Sequence, residues 1–285
     1  MEFTDNTKSA GLSRRCLLAG GLSLTAVALT PAVALAETVQ TGTIRKTYIT
    51  ETGQASPYRL YVPKQWDGRS ELPAMMFLHG AWNDENQYVD ADDHLMESLA
   101  ETYGFLLISP LGYSKLGAYG SAMSLSSMFG NIAGQVAAKA KAEADPEKST
   151  TLQRSEDDIV SVLDRVVADY PIDKKAIFLA GHSMGAGGTW YLGNKYHSLW
   201  AAIAPLSGPF IDQANRGLDN LQQMPIFYTE GLKTPSLQES RLLYKTLSAS
   251  AFDIDYKEYD ADHAGMVHLA LPDVFSFFKG RRAVT

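Results

Sequence analysis

Cysteine is almost missing: the 285 residues contain one, Cys16. That excludes a disulfide framework and any zinc site built on thiolates. Histidine is sparse as well, six in all, and none stands in the H-E-x-x-H or other paired-ligand spacing of a metal site, so no metal is expected. Positive charge is in deficit, with 25 Lys+Arg against 32 Asp+Glu and a net charge of -7. Such a surface repels phosphate backbones, and nucleic acid is not expected as a partner. No G-x-G-x-x-G follows a first strand, so no dinucleotide cofactor is expected either, nor any other. There is no internal repeat. Beyond the N-terminal region no apolar run is long enough to cross a bilayer. What remains is ordinary globular usage, 45% hydrophobic and 20% charged, which excludes a disordered or fibrous chain.

Residues 1–36 read as an export signal. A polar segment ends in Ser13-Arg14-Arg15, an apolar run extends from Cys16 to Val33, and Ala34-Leu35-Ala36 offers the small residues a signal peptidase reads. Gly20, Gly21, Ser23 and Pro31 interrupt the run, which is shorter than the roughly 20 apolar residues of a membrane span. The paired arginines before Leu17-Leu18 resemble the twin-arginine class. Secretion, or delivery to a periplasm, is therefore expected. Residues 37–285 are then expected to form one domain without cysteine, suited to an oxidising compartment.

Within that domain, Thr43–Thr50 and Tyr58–Pro63 read as an antiparallel pair separated by Gly53 and Pro57. Afterwards short apolar runs alternate with helical periods. Strands are expected at Ala74–Leu78, Phe105–Ser109, Ala176–Ala180, Ala201–Leu206, Ile226–Thr229 and Ile254–Tyr259. Runs such as Met75-Met76-Phe77-Leu78 are apolar on both faces, as a parallel strand covered on each side requires. The clearest helix is Ser155–Tyr170, where Ile159, Val162, Leu163, Val166, Val167 and Tyr170 form one apolar face. Ser155 is expected to cap it, and Pro171 stops it. Further helices are expected at Asp92–Tyr103, Gly185–Tyr196, Leu237–Ser248 and Pro272–Phe278. The alternation predicts an α/β fold with a mostly parallel central sheet and helices on both faces. Residues 114–154 lack a strand and are expected to be a lid or insertion.

The chemical signal is Gly181-His182-Ser183-Met184-Gly185, a G-x-S-x-G sequence between an apolar strand and a helix. At such a corner the serine Oγ is pushed clear of the sheet edge, and the flanking glycines admit the neighbouring backbone. Ser183 is thus the candidate nucleophile. It needs a base, and in a fold of this kind the chain order is serine, acid, then histidine after the last strand. His263, in Asp262-His263-Ala264-Gly265, fits that place. His268 reads as a surface or packing residue, His182 as packing, and His94 and His197 as solvent-facing. Two backbone N–H groups should hold an oxyanion: Met184 directly after the nucleophile, and Ala81 in His79-Gly80-Ala81-Trp82, with Trp82 as the second choice. Trp82, Tyr113, Tyr119, Met123, Met128 and Phe129 are expected near the cleft mouth, where they suit an apolar or aromatic part of a substrate.

Four passages together resemble the exported α/β-hydrolase esterases of the polyhydroxybutyrate-depolymerase-like and feruloyl-esterase-like group. They are Leu78–Asn86, Ser109-Pro110-Leu111-Gly112-Tyr113, Gly181–Trp190, and Asp262-His263 with Leu271-Pro272-Asp273-Val274-Phe275. The similarity spans about residues 55–280 apart from 114–154. It implies an α/β-hydrolase fold and a serine carboxylic ester hydrolase acting through Ser183 and His263 on a small or oligomeric ester. One departure stands out. The group's acid lies a few residues past a strand-seven glycine, as G-x-x-D, whereas Gly231-Leu232-Lys233-Thr234 puts threonine there, and threonine carries no charge to stabilise an imidazolium. Glu230 at the strand end is the replacement chosen, with Asp212, Asp260 and Asp262 as alternatives. A peptidase or acyltransferase of the same fold, and a binding protein with a degraded triad, are the rival readings.

Overall fold

A computed structural model describes residues 40–122, 146–209 and 218–283. The expected signal at 1–36, Met123, Met128, Phe129 and Asp212 lie outside the described residues. Eight strands form one sheet in the order β1-β2-β4-β3-β5-β6-β7-β8. The strands are β1 (Gly42–Ile49), β2 (Ala55–Val62), β3 (Leu72–Leu78), β4 (Leu106–Pro110), β5 (Ile172–His182), β6 (Ala202–Leu206), β7 (Ile226–Gly231) and β8 (Ile254–Tyr259). β1 runs antiparallel to β2, and β2 antiparallel to β4. All remaining neighbours are parallel. Each strand expected from the apolar runs is present, with ends displaced by a few residues.

The helices are α1 (Gln87–Tyr103), α2 (Pro146–Asp169), α3 (Met184–Lys195), α4 (Leu237–Ala249) and α5 (Met266–Phe278). They cover both faces, and the central strands show why their sequence is apolar throughout. In β3, Ala74, Met76 and Leu78 join the core formed with α2, α3 and α4, while Met75 and Phe77 point the other way, into the core formed with α1 and α5. β5 divides likewise, Ile177 and Leu179 to one side and Ala176, Phe178 and Ala180 to the other. Successive side chains on a strand alternate faces, so a strand buried twice must be apolar at every position. Among the described residues no helix is long and apolar enough to cross a membrane.

Three helix boundaries correct the sequence reading. α2 begins at Pro146, so Ser155 is an interior residue and not a cap, and residues 146–154 are helical. Ser155 Oγ instead donates to Gly112 O at 2.6 Å and accepts from Tyr119 N at 3.0 Å. α1 is interrupted at Ala91–His94, where Asp92, Asp93 and His94 take left-handed angles. α5 starts at Met266 and contains Pro272. Proline costs a helix interior about 3 kcal/mol, but α5 buries Met266, Val267, Ala270, Leu271, Val274, Phe275 and Phe278. At roughly 1.5–3 kcal/mol per buried large apolar side chain, packing outweighs the local cost.

Candidate active site

Parallel strands β3, β5, β6 and β7 end at the same edge of the sheet, and each end contributes a chemical group. β5 passes directly into α3 through Ser183, whose φ of 57° and ψ of -117° lie where side-chain-bearing residues are strained, at a cost of order 1–3 kcal/mol. The corner is held by backbone. Ser183 N donates to Leu206 O at 3.0 Å, and Ser183 O accepts from Ala186 N at 2.9 Å. The flanking glycines are there for clearance, since a Cβ on Gly181 would meet Gly185 O at 2.5 Å and one on Gly185 would meet Leu78 O at 2.1 Å. Ser183 is 7% exposed.

His263 lies on the loop between β8 and α5. Its Nδ1 is 2.8 Å from the hydroxyl of Ser207, the residue directly after β6. That hydroxyl in turn donates to Glu230 Oε1 at 2.5 Å. Glu230 therefore does not touch the imidazole; a serine stands between them. The Glu230 carboxylate is wholly buried, and among the described residues it forms no ion pair. It accepts from Gly231 N at 2.9 Å, Ser236 Oγ at 3.0 Å and Ser240 Oγ at 2.6 Å besides Ser207. Thr234 Oγ1 shares its proton between Glu230 Oε1 (3.0 Å) and Gly231 O (2.9 Å). A buried carboxylate surrounded by donors is well satisfied as an anion.

This network fixes a tautomer. A hydroxyl has one proton, and Ser207 gives its proton to Glu230. Ser207 Oγ must then accept from His263 Nδ1–H, which leaves the lone pair on Nε2. Burial holds the His263 imidazole below its ordinary pKa of 6.5, while the charges of Glu230 and Asp262 push it back up. The ring is neutral and a base at neutral pH.

His182, read from the sequence as a packing residue, is buried and hydrogen-bonded at both ring nitrogens. Its Nε2 lies 2.8 Å from the His263 backbone carbonyl, its Nδ1 lies 2.7 Å from Tyr88 Oη, and its ring is 4.5 Å from that of His263. Burial, with the neighbouring His263, pushes the His182 pKa down to about 3. A neutral His182 thus donates Nε2–H to the His263 carbonyl and accepts from the tyrosine. His94, His197 and His268 are exposed.

Across the edge, the turn after β3 carries His79-Gly80-Ala81-Trp82. Both His79 nitrogens lie 2.8 Å from carbonyls, Gly80 O and Leu111 O. Burial lowers the His79 pKa against the pull of those carbonyls. Trp82 N donates to Lys115 O at 3.0 Å, which spends the amide considered as the alternative oxyanion donor. Among the described residues neither Ala81 N–H nor Met184 N–H has a hydrogen-bond partner. The Gly80 backbone lies against Ser183, a Cβ built on it falling 3.4 Å from Ser183 Cβ.

The expected cleft aromatics separate. Trp82 is 65% exposed at a positive φ of 64°. Tyr113 is partly buried, its hydroxyl accepting from Arg154 Nη1 at 2.9 Å. Tyr119 corrects the expectation: it is fully buried, donates to His79 O at 3.0 Å and braces the turn from behind. Of the alternative acids, Asp260 pairs with Lys233 at 2.9 Å and Asp262 accepts from Gly265 N at 2.7 Å, so neither reaches Nδ1. Sequence reasoning missed Ser207. Its signal was position alone, the first residue past the strand that neighbours the one bearing Ser183. Among the described residues no group of three or more His, Cys, Asp or Glu side chains is placed to hold a metal ion.

Sheet order, crossovers and the strained serine corner define the α/β-hydrolase fold. Comparison with solved structures agrees. A fluorophosphonate-binding serine hydrolase of Staphylococcus aureus superposes with a TM-score of 0.63 at 20% identity, over 84% of this chain and 98% of that one. A ferulic acid esterase from Anaeromyces mucronatus, solved with ferulic acid, gives 0.60 at 16% identity over 86% and 92%. In sequence, the chain is 27% identical over 184 residues to a bifunctional acetylxylan esterase/xylanase of Neocallimastix patriciarum. That match covers 65% of this chain and 22% of the relative, so the chain spans about a fifth of that protein's length. No family model matches the chain.

Proposed function

We propose that the chain is an exported serine hydrolase of carboxylic esters, its residues 37–285 forming one catalytic domain behind a twin-arginine-type signal. The observation that carries the reading is the Ser207–Glu230 arrangement, which leaves the Nε2 lone pair of His263 free, beside a strained, nearly buried Ser183 at the ends of the neighbouring strands β5 and β6. His263 Nε2 takes the Ser183 proton as Oγ attacks the ester carbonyl, and the Ala81 and Met184 amides receive the oxyanion. The imidazolium returns its proton to the departing alcohol, and water then releases the acid by the reverse sequence. Glu230 supplies the negative charge that favours the imidazolium. Among the described residues Ser183 Oγ is not hydrogen-bonded to His263; such bonds are commonly long without substrate and tighten on binding.

The names of the similar proteins, acetylxylan esterase and ferulic acid esterase, make acetylated xylan and esters of ferulic acid the first substrates to try. The exposed Trp82 ring beside Ala81 supports the aromatic one. The test is covalent labelling by a fluorophosphonate probe with hydrolysis of 4-nitrophenyl acetate. Wild type should label and turn over, and Ser183→Ala should lose both, with kcat falling by several orders of magnitude. Turnover surviving in Ser183→Ala would end the proposal; cleavage of peptide amides in preference to esters would move it to the peptidase reading.

A further inference from the structure

We propose that Ser207 is a positioning residue of this site, transmitting the charge of Glu230 to His263 through its own hydroxyl; this rests on the reading of Ser183 and His263 as nucleophile and base. The observations are geometric. Ser207 Oγ sits between Glu230 Oε1 at 2.5 Å and His263 Nδ1 at 2.8 Å. The residue is wholly buried and takes a positive φ of 50°, a conformation uncommon for a residue bearing Cβ. It is held there by its amide, which donates to Thr229 O at 2.8 Å. Trp190 Nε1 donates to the next carbonyl, Gly208 O, at 3.0 Å. The strained backbone thus aims a hydroxyl along the line from carboxylate to imidazole.

Among the described residues no other side chain hydrogen-bonds the ring, although the charges of Glu230 and Asp262 also act on it through space. Asp262, on the histidine's own loop, is turned to Gly265 N. From the end of β5, His182 meets the His263 backbone carbonyl and not the ring nitrogens, with the Tyr88 hydroxyl from α1 behind it. From β7, Glu230 is linked to the ring by hydrogen bonds only through Ser207. When His263 takes the Ser183 proton, the Nδ1–H bond to Ser207 becomes charge-assisted and polarises the Ser207–Glu230 bond in the same direction. No proton need leave Nδ1 or Ser207, so protons balance as in an ordinary triad. Removing the hydroxyl should free the imidazole to rotate or to take the other tautomer.

The experiment compares Ser207→Gly, Glu230→Gln, their double variant and Ser183→Ala in the full mature chain. Glycine at 207 tolerates the positive φ; Ser207→Ala is the second variant, and melting temperatures are recorded for all. Ser207→Gly should lower kcat about 10- to 100-fold, the order of one or two charge-assisted hydrogen bonds, with KM little changed. It should also shift the acid limb of the pH–rate profile to lower pH, since the imidazolium loses the hydrogen bond from Nδ1–H to the Ser207 hydroxyl that favours its charged form. The low-field proton resonance of His263 Nδ1–H should move upfield in Ser207→Gly and in Glu230→Gln. Because both residues act along one path, the double variant should be little worse than the poorer single one. Wild-type kcat and pH profile in a folded Ser207→Gly, or losses that simply multiply in the double variant, would overturn the relay while leaving the hydrolase reading intact. Retained turnover in Ser183→Ala would overturn the hydrolase reading instead.

Discussion

Adding a single methyl group at Gly185 tests how tightly the two halves of the proposed oxyanion site are pinned. The first turn of α3 lies against the end of β3, and a Cβ at position 185 would fall 2.1 Å from Leu78 O, 2.7 Å from Leu78 C and 2.9 Å from His79 O. All three are backbone atoms, so no side chain can swing aside. Ordinary contact needs about 3.5 Å, and helix and strand would have to part by roughly 1 Å. Overpacking of this kind costs about 1–3 kcal/mol, and a clash with fixed backbone belongs at the upper end. At ~2–4 °C per kcal/mol for a chain of this size, Gly185→Ala should lower Tm by about 6–12 °C. The same parting separates Met184 N from Ala81 N, and displacement of about 1 Å at a reacting site can cost on the order of 10²-fold in rate. Gly193→Ala, on the same helix, is the control. Its Cβ would meet only side-chain atoms, of Ile203 with the nearest at 3.1 Å and of Leu221 at 3.6 Å, and alanine gains roughly 1 kcal/mol in helix propensity, so Tm should move little. Calorimetry and 4-nitrophenyl acetate turnover measure both effects. A Gly185→Ala protein melting within about 2 °C of wild type with unchanged kcat would refute the reasoning.

Further outcomes follow from other parts of the network. Since burial lowers the His263 pKa from 6.5, and the ring acts as a base only when neutral, kcat/KM should fall as pH drops through a midpoint below 6.5; a midpoint above 7 in a pH–rate profile would contradict this. Arg59, 2% exposed, binds Asp90 at 2.5 Å and Glu97 at 2.8 Å. Arg59→Ala leaves the nearly buried Glu97 carboxylate with the Thr43 hydroxyl at 2.7 Å but without its guanidinium and should cost about 3 kcal/mol in urea unfolding, much of it recovered in Arg59→Met/Glu97→Leu. Ser155→Ala removes both ties from α2 to the 112–119 turn and should lower the urea midpoint by ~1–3 kcal/mol equivalent without changing the m-value.

Much of this architecture was legible from the sequence because the strands are buried on both faces. A run such as Met75–Leu78 or Phe178–Ala180 has no polar position through which a helix could meet water, so pattern and structure coincide. Helix ends were less legible. At Pro272 a local rule, that proline opens or ends a helix, gave way to the apolar side chains packed along α5. At Ser155 a residue suited by type to capping was used for tertiary bonds to Gly112 and Tyr119, and only three-dimensional proximity distinguishes the two uses. Tyr119 was misplaced for a related reason. An aromatic residue in a loop after a strand end reads as a cleft lining, but here the loop folds inward and the ring fills the space left by Gly112 and Gly188, where a Cβ would lie 2.4 Å and 2.6 Å from it.

The acid was legible only in part, and the reason is chemical. In the esterases that this sequence resembles, a carboxylate is expected at the position of Thr234, and its loss read as a degraded triad. In three dimensions the position still serves a carboxylate, because Thr234 Oγ1 lies 3.0 Å from Glu230 Oε1. Moving the charge back to the end of β7 buries it completely, and an uncompensated buried anion would be prohibitive. The local sequence meets that cost with hydroxyls: Thr234, Ser236 and Ser240 from one side, Ser207 from the other. The displaced carboxylate no longer reaches the imidazole, and Ser207 fills the gap. A cluster of serines and threonines around a glutamate carries no recognisable spacing because Ser207 follows β6, Thr234 and Ser236 lie in the loop after β7, and Ser240 belongs to α4. What the sequence did contain was the count of small hydroxyl residues near Glu230, which makes sense only once the charge they satisfy is placed among them.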